Sequence, residues 1–136
     1  MKKLLIIILV LASAWSLLGF IRGSKDEAAQ LIKLAPAEQS KVHDFIRKAF
    51  ADYEQNGEKA LKEHWAYPIY EPEFNSSTGL MDKLGELKAV TPGRAVHPKF
   101  NPKSMLVDAK VGGRNIQISL TIDEYGYAIE SVRERD

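Results

Sequence analysis

The last third of the chain alternates apolar and polar residues with a period of two, and this pattern restricts the fold more than any other feature. In residues 105–111 and in residues 116–122, every second residue, counted from the first, is apolar. Because successive side chains of a strand point to opposite faces, each run predicts a strand with one buried face. Gly112-Gly113 fits a two-residue hairpin turn between them. Residues 123–126 predict a second turn, so Tyr127 to Val132 completes an antiparallel meander.

An amphipathic helix is predicted before this meander. Pro36 suits the first turn of a helix, and Asn56-Gly57 suits its C-terminal cap. Between them, apolar residues recur at spacings of three and four, which predicts one buried stripe: Val42, Phe45, Ile46, Ala49, Phe50 and Tyr53. A shorter helix is predicted from Glu58 to about Ala66. Helices followed by a meander indicate an α+β domain, with the helices packed on one face of a curved antiparallel sheet.

The segment that joins the helices to the meander reads as irregular. Residues 65–74 carry four aromatic side chains and two prolines, which predict an extended segment rather than a helix. Residues 75–79 read as a polar loop. Leu80 to Leu84 predicts one helical turn, residues 85–90 a strand, and residues 91–93 a turn before a short strand near Val96.

The start of the chain is a charge-free apolar run from Leu4 to Ile21, preceded by Lys2 and Lys3. As a helix it would span about 27 Å, close to the hydrocarbon thickness of a bilayer. Ala12-Ser13-Ala14 also fits a signal-peptidase site, but cleavage there would leave an apolar N-terminus. The sequence therefore favours a retained anchor over a cleaved signal peptide.

This interpretation divides the chain into residues 1–23 as the transmembrane anchor or signal peptide, 24–35 as a juxtamembrane stalk, and 36–136 as the α+β domain. Ser24 and Glu27 have the spacing of a helix capping box, which predicts a short helix in the stalk. The basic residues before the apolar run favour a cytoplasmic N-terminus. We therefore expect a single-pass protein of the cell inner membrane with its domain on the periplasmic side, or, after signal cleavage, a protein secreted to the periplasm.

Composition excludes several classes of function. Four of the 19 Lys and Arg residues precede Asp26, whereas all 18 Asp and Glu residues lie at or after it, so the domain is net acidic and we expect no nucleic-acid partner. The chain has no cysteine, and its three histidines lack metal-ligand spacing, so we expect no metal and no cofactor. Serine-hydrolase and nucleotide-binding motifs are absent.

A family resemblance adds to this interpretation. The order of predicted elements resembles that of the nuclear-transport-factor-2-like (cystatin-like) superfamily. This order is a long N-terminal helix, a short helix ending at Trp65, an irregular segment, and then Gly-Glu-Leu-Lys-Ala-Val leading into strands. The closing residues 118–129 are similar to the final hairpin of its small exported members. The resemblance covers about Pro36 to Arg133 and implies a cone-like pocket. That superfamily includes isomerases, dehydratases and secretion-system subunits, so the resemblance alone assigns no activity.

Two groups of residues are candidates for binding a partner or ligand. Tyr and Trp favour interfaces because they bury a large area and keep a polar tip. The aromatic candidates are Trp65, Tyr67, Tyr70 and Phe74, and the alternative is that these rings close the core. Arg94 and Arg114 are candidates in the locally basic interval 94–114, which otherwise reads as a solvated sheet face.

The sequence thus predicts a non-catalytic domain that is tethered to the membrane and binds a protein partner or small ligand. The alternatives are a pocket acid–base enzyme of the isomerase or hydratase type and a structural subunit of an envelope or secretion assembly. An enzyme would need a carboxylate in an apolar pocket, where its pKa would shift, and no carboxylate is placed there by the sequence pattern. A homodimer is also compatible with this interpretation.

Overall fold

The computed structural model describes residues 30–135, together with the backbone of Lys3–Leu4 and Ile6–Ile7, which pair as two short strands. Apart from Leu4 and Ile6–Ile7, the predicted transmembrane helix over Leu4 to Ile21 lies outside the described residues. From residue 30 onward the elements, in chain order, are β1 (Leu31–Lys33), α1 (Pro36–Asn56), α2 (Glu58–Lys62), α3 (Glu71–Met81), a 3-10 turn (Leu87–Ala89), β2 (Thr91–Pro98), β3 (Ser104–Val111), β4 (Arg114–Asp123) and β5 (Gly126–Glu134). The predicted α+β class is confirmed.

The chain divides into two compact units. The first comprises residues 1–32 and 98–101, and the second comprises residues 33–97 and 102–136. In the first unit, the amide of Lys99 donates to the carbonyl of Gln30 at 2.9 Å, and the Lys99 ammonium lies 5.4 Å from the ring centroid of Phe100. Among the residues whose burial the structure describes, the apolar core lies in the second unit.

Helix α1 forms where the apolar periodicity predicts it. Its fully buried residues are Val42, Ile46, Ala49 and Phe50, at spacings of three and four, so they make one stripe along the helix. Pro36 occupies the first turn, where its missing N–H removes no helical hydrogen bond. Gly57 ends the helix at a positive φ of 82°, a conformation that glycine adopts without the penalty of a Cβ atom.

The five strands form one sheet in the order β1-β2-β3-β4-β5. Strands β2 to β5 pair antiparallel, with Val107 opposite Ile118 and Ile118 opposite Val132. Register shifts interrupt β2 between Pro92 and Ala95 and the β4–β5 pairing after Ser119. The buried apolar residues of the sheet and those of the helices form a single cluster.

The prediction of an irregular segment and a polar loop over residues 71–79 was wrong, because these residues form helix α3. Pro72 lies in the first turn, where a helix tolerates proline, and does not break it. Phe74, Ser77, Thr78 and Met81 are all buried at helical spacing. The Ser77 hydroxyl accepts a hydrogen bond from the amide of Val132 at 2.9 Å, so two polar residues that suggested a loop face the sheet instead.

Three further local predictions were wrong. Residues 85–90 contain the 3-10 turn Leu87–Ala89 rather than a strand, because the carboxylate of Glu54 accepts hydrogen bonds from the amides of Leu87 and Lys88, at 2.8 and 3.2 Å, and these amides do not pair with a neighbouring strand. Thr91 already belongs to strand β2, and the expected turn at residues 91–93 is a bulge within that strand. The short helix predicted in the stalk is not formed at Leu31–Lys33, because these residues form strand β1.

The space between the helices and the sheet is filled with side chains. Phe50, Phe74 and Met81 are fully buried there, and Trp65 is 6% exposed. Within residues 30–135, the only buried polar side chains are Ser77, Thr78 and Ser131, so no carboxylate is buried in the described core. In the same part of the chain, none of the helices has the length and hydropathy required to cross a bilayer.

Candidate functional site

The predicted aromatic segment is divided between the core and the surface. Trp65 and Phe74 are buried, and their rings meet edge to face with centroids 4.9 Å apart. Tyr67 and Tyr70 are 91% and 69% exposed. Of the four aromatic candidates, two therefore belong to the core and two remain available for binding.

The exposed pair lies on residues 66–70, which we call the tyrosine loop. On its N-terminal side, the Ala66 amide donates to the carbonyl of Ile129 at 2.8 Å, and the Ile129 amide donates to the carbonyl of His64 at 2.7 Å. These bonds attach the chain to the outer edge of β5. Ile69 packs against the core, and the amide of Phe74 donates to the carbonyl of Tyr70 as α3 begins. The loop is thus fixed at both ends and in the middle.

Charged residues flank the tyrosine loop on α3. Glu71 lies 3.9 Å from the ammonium of Lys62, and Glu73 accepts a hydrogen bond from the guanidinium of Arg133 at 2.9 Å. The hydrogen bond to Glu73 raises the pKa of Arg133 above its usual value. Because these acids already have cationic partners, the rim of the loop is close to neutral and would not repel an acidic or a basic partner.

The two arginine candidates have different surroundings. Arg114 makes two parallel hydrogen bonds of 2.8 Å to the carboxylate of Glu134 and a third, of 3.3 Å, to the carbonyl of Lys83. This arrangement ties the start of β4 to its neighbouring strand and to the segment after α3, so three of the five N–H donors of Arg114 are already used. Arg94 is exposed in the bulged part of β2. The structure does not bring either arginine together with the tyrosine loop in any described contact.

A histidine–carboxylate pair lies beside β5. The Nε2 atom of His64 is 2.7 Å from Oδ2 of Asp52, and the ring of Phe45 meets the imidazole edge to face at 5.7 Å. The hydrogen bond from His64 is the main cause that lowers the pKa of Asp52. Within the described residues, Asp52 is the one side chain hydrogen-bonded to His64, so the pair has no hydroxyl nucleophile to activate.

Four open depressions mark the described surface. The one on the uncovered face of the sheet has a volume of about 440 Å³, and its charged lining residues are Asp108, Lys110 and Arg135. Asp108 is paired with Arg135 at 2.6 Å. Two others, of about 370 Å³ each, lie between α1 and α3 and between α3 and β5. Each opens to solvent, and none is the enclosed apolar pocket that an acid–base enzyme would need.

The largest of these four depressions, about 530 Å³, lies beside the first half of α1. We call it the basic groove and define it by Lys33, Gln39, Ser40, His43 and Arg47. The sequence analysis did not predict this groove, because it followed only the buried stripe of α1. The spacing of residues 40, 43 and 47 was a usable signal, since positions three and four apart share one face of a helix.

No group of three or more potential metal-ligating side chains occurs within residues 30–135.

Comparisons with family models, with curated proteins and with solved structures find no match to this chain. The resemblance to the nuclear-transport-factor-2-like superfamily therefore stays a prediction.

Proposed function

We propose that this chain is a non-catalytic domain, tethered to the membrane outside the cytoplasm, that binds a protein partner through the tyrosine loop. The observation that carries the proposal is the exposure of Tyr67 and Tyr70, 91% and 69%, on a segment held by backbone bonds to β5 and by Ile69 in the core. Leu4 to Ile21 supplies the tether in the cell inner membrane and leaves the domain on the periplasmic side, with secretion after signal cleavage as the alternative.

Rigid exposed tyrosines are suited to binding a protein surface. A tyrosine has two rotatable side-chain torsions, so ordering it costs little entropy for the area that it buries. A loop that is already fixed adds little further ordering cost when a partner binds. Aromatic anchors of this type supply about 2 kcal/mol or more each at interface hot spots, and the two here are three residues apart.

The exterior of the domain is the expected place for binding because the interior is occupied. In this proposal the sheet has the cone-like curvature that the resemblance implies, but the cone is filled by Phe50, Trp65 and Phe74. A small ligand would have to displace large buried rings to enter. The absence of a buried carboxylate from the described core also removes the support for an acid–base enzyme.

Site-specific photo-crosslinking in cells tests the proposal. Benzoylphenylalanine at position 67 or 70 should give a discrete adduct, and the same residue in place of Tyr125 should not. Tyr125 is a matched control because it is 90% exposed but lies in the β4–β5 turn, away from the tyrosine loop. Tyr67→Ser in a chain labelled at position 70 should reduce the adduct by tenfold or more.

Equal crosslinking from all three positions, or no adduct from position 67 or 70, would overturn the proposal. A ladder of adducts, retained as a large assembly on native gels, would instead identify a structural subunit of an envelope machine.

A further inference from the structure

The basic groove carries a charge pattern that the tyrosine loop does not explain. Its lining contains Lys33, His43 and Arg47 and no Asp or Glu, although the domain as a whole is net acidic. A concave surface lined by cations on an acidic domain concentrates positive potential locally and attracts anions. The other two depressions with basic linings have cations in ion pairs: Asp108 pairs with Arg135 on the sheet face, and Arg114 and Arg133 are both paired with glutamates between α3 and β5. Of the four depressions, the basic groove is therefore the most suited to an anionic ligand.

Local hydrogen bonds hold the walls of the groove in place. The Gln39 amide nitrogen donates to the carbonyl of Leu34 at 3.0 Å, and the Leu34 amide donates to the carbonyl of Ala95 at 3.0 Å. On the other side, Nε2 of His43 lies 2.7 Å from the carbonyl of Gly93. A carbonyl oxygen only accepts, so Nε2 carries the proton in this contact. The segment before α1, helix α1 and strand β2 are thus joined around one concavity.

The cations of the groove remain available for a ligand. Lys33 forms no ion pair within the described residues. Arg47 lies 3.5 Å from Asp44, but both side chains are more than half exposed, and such surface pairs are weak. The Arg47 guanidinium has five N–H donors, so most of them stay free for phosphate oxygens. Ser40 adds an exposed hydroxyl donor.

The position of the groove in the chain indicates the source of the anion. Lys33 follows the end of the apolar run at Ile21 by about 12 residues, which span at most about 40 Å when fully extended. The groove therefore lies on the part of the domain closest in sequence to the membrane. The leaflet surfaces of bilayers that contain anionic lipids attract nearby Lys and Arg residues, each cation contributing roughly fivefold to binding.

We propose that the basic groove docks on the membrane surface and binds the phosphate of an anionic phospholipid headgroup through Lys33, Arg47 and Ser40, while His43 holds α1 against β2. This inference rests on the proposed membrane tether. The groove adjoins β2 through the contact between His43 and Gly93, whereas the tyrosine loop adjoins β5, at the other edge of the sheet. Docking through the groove would therefore direct the tyrosine loop away from the bilayer, towards a partner.

Flotation of the full chain with lipid vesicles tests this docking and the tether separately. Vesicles of phosphatidylcholine alone report the tether, because they carry no net charge to attract the groove. The additional flotation, or slower dissociation, with vesicles that contain phosphatidylglycerol reports the groove. The variant with Lys33→Glu and Arg47→Glu should reduce the anionic component on the order of 25-fold or more and leave the neutral component unchanged.

A matched variant controls for net charge. Lys59→Glu with Lys83→Glu makes the same change in charge at two other exposed lysines, and it should retain most of the anionic component. If the wild-type chain did not float with vesicles of phosphatidylcholine alone, the tether would be refuted. Additional flotation with phosphatidylglycerol that depends on Lys33 and Arg47 would still support the docking. Equal effects of the two double variants would overturn the docking site, because they would show a response to overall charge alone.

A proximity measurement assigns the ligand to lipid. The chain has no cysteine, so Ala37→Cys, exposed on α1 beside the groove but outside its lining, can carry the only thiol-linked fluorophore, and Ser76→Cys on α3 serves as the control label. A headgroup-quencher lipid should quench the label at position 37 at least threefold more than the label at position 76 in anionic vesicles. Equal quenching at both positions, or saturable binding of inorganic phosphate that abolishes the difference, would overturn the assignment to a lipid headgroup.

Discussion

Replacement of Phe74 by alanine tests the division of the aromatic segment between core and surface. Phe74 is fully buried in α3, its ring meets Trp65 edge to face at 4.9 Å, and the Lys62 ammonium lies 5.2 Å from its centroid. Truncation of a buried phenylalanine costs about 3–5 kcal/mol, and this range includes the cavity that remains. The lost aromatic pair contributes about 0.5–1.5 kcal/mol beyond area burial. We expect the free energy of unfolding to fall by about 4–5 kcal/mol.

Urea unfolding gives the measurement. For a domain of this size a denaturant slope of about 2 kcal/mol per molar urea is typical, so the midpoint should move down by about 2 M. Trp65 reports the transition by fluorescence, with Trp15 replaced by phenylalanine in both proteins so that one indole remains. Circular dichroism at 222 nm should give the same midpoint, because small domains unfold in one cooperative step.

Tyr70→Ala is the internal control, because this ring lies four residues away and is 69% exposed. Surface substitutions usually change stability by no more than about 0.5 kcal/mol. If Phe74→Ala and Tyr70→Ala shifted the midpoint equally, or if Phe74→Ala cost less than about 1 kcal/mol, the assignment of Phe74 to the core and Tyr70 to the surface would be refuted.

Three further substitutions test separate contacts. Ser77→Ala removes the acceptor of the Val132 amide at 2.9 Å and should cost about 1–3 kcal/mol in urea unfolding, since a buried donor loses its partner. Gly112→Ala should destabilise the β3–β4 hairpin and lower the melting temperature, because Gly112 has a φ of 57° and an added Cβ would lie 3.1 Å from a backbone oxygen. Burial, and the hydrogen bond that Tyr53 donates to Asp82 at 2.7 Å, raise the pKa of Tyr53. Tyr53→Phe should therefore destabilise the protein at neutral pH, and this difference should shrink as the pH rises above about 10.

Each of these predictions has a clear contrary outcome. Ser76→Ala changes an exposed neighbour on α3 and should leave stability within about 0.5 kcal/mol, so equal losses at positions 76 and 77 would contradict the buried contact. Gly79→Ala has open space for its Cβ and should be neutral or stabilising. For Tyr53, the sign follows from the raised pKa. The folded state retains the phenol proton longer than the unfolded state, so stability is present below the unfolded pKa and lost above it. A gap between wild type and Tyr53→Phe that widened at high pH would contradict this linkage.

Much of the fold follows from local periodicity. The alternation over residues 105–122 predicts β3, β4 and their buried face, and Gly112-Gly113 lies at the turn between them. The stripe of α1 is equally clear in the sequence. These elements bury one face against a common core, and a side-chain period of 2 or 3.6 is the direct consequence of that arrangement. Trp65 and Phe74 lie in a segment without such a period, so their aromatic character made them candidates for both the core and an interface, and no local pattern chose between the two.

Helix α3 and the tyrosine loop depended on tertiary structure. The local residues Pro72, Ser77 and Thr78 favour a loop, but packing against β5 gives Ser77 a backbone partner at Val132 and allows the helix to continue. The bonds between residues 64–66 and Ile129 fix the loop that exposes Tyr67 and Tyr70. Those partners lie more than 50 residues apart in the chain, beyond the range of any local pattern.

The sequence by itself determined the α+β class, the main strands, the long helix and the presence of an apolar N-terminal run, because each depends on the composition and period of neighbouring residues. Only the tertiary structure decided which aromatic rings are buried and which cations line a common groove. Lys33 and Arg47 belong to different elements, and hydrogen bonds from Leu34, Gln39 and His43 bring those elements together. A binding surface of this kind depends on long-range contacts, whereas the spacing of neighbouring side chains is enough to predict a strand or a helix.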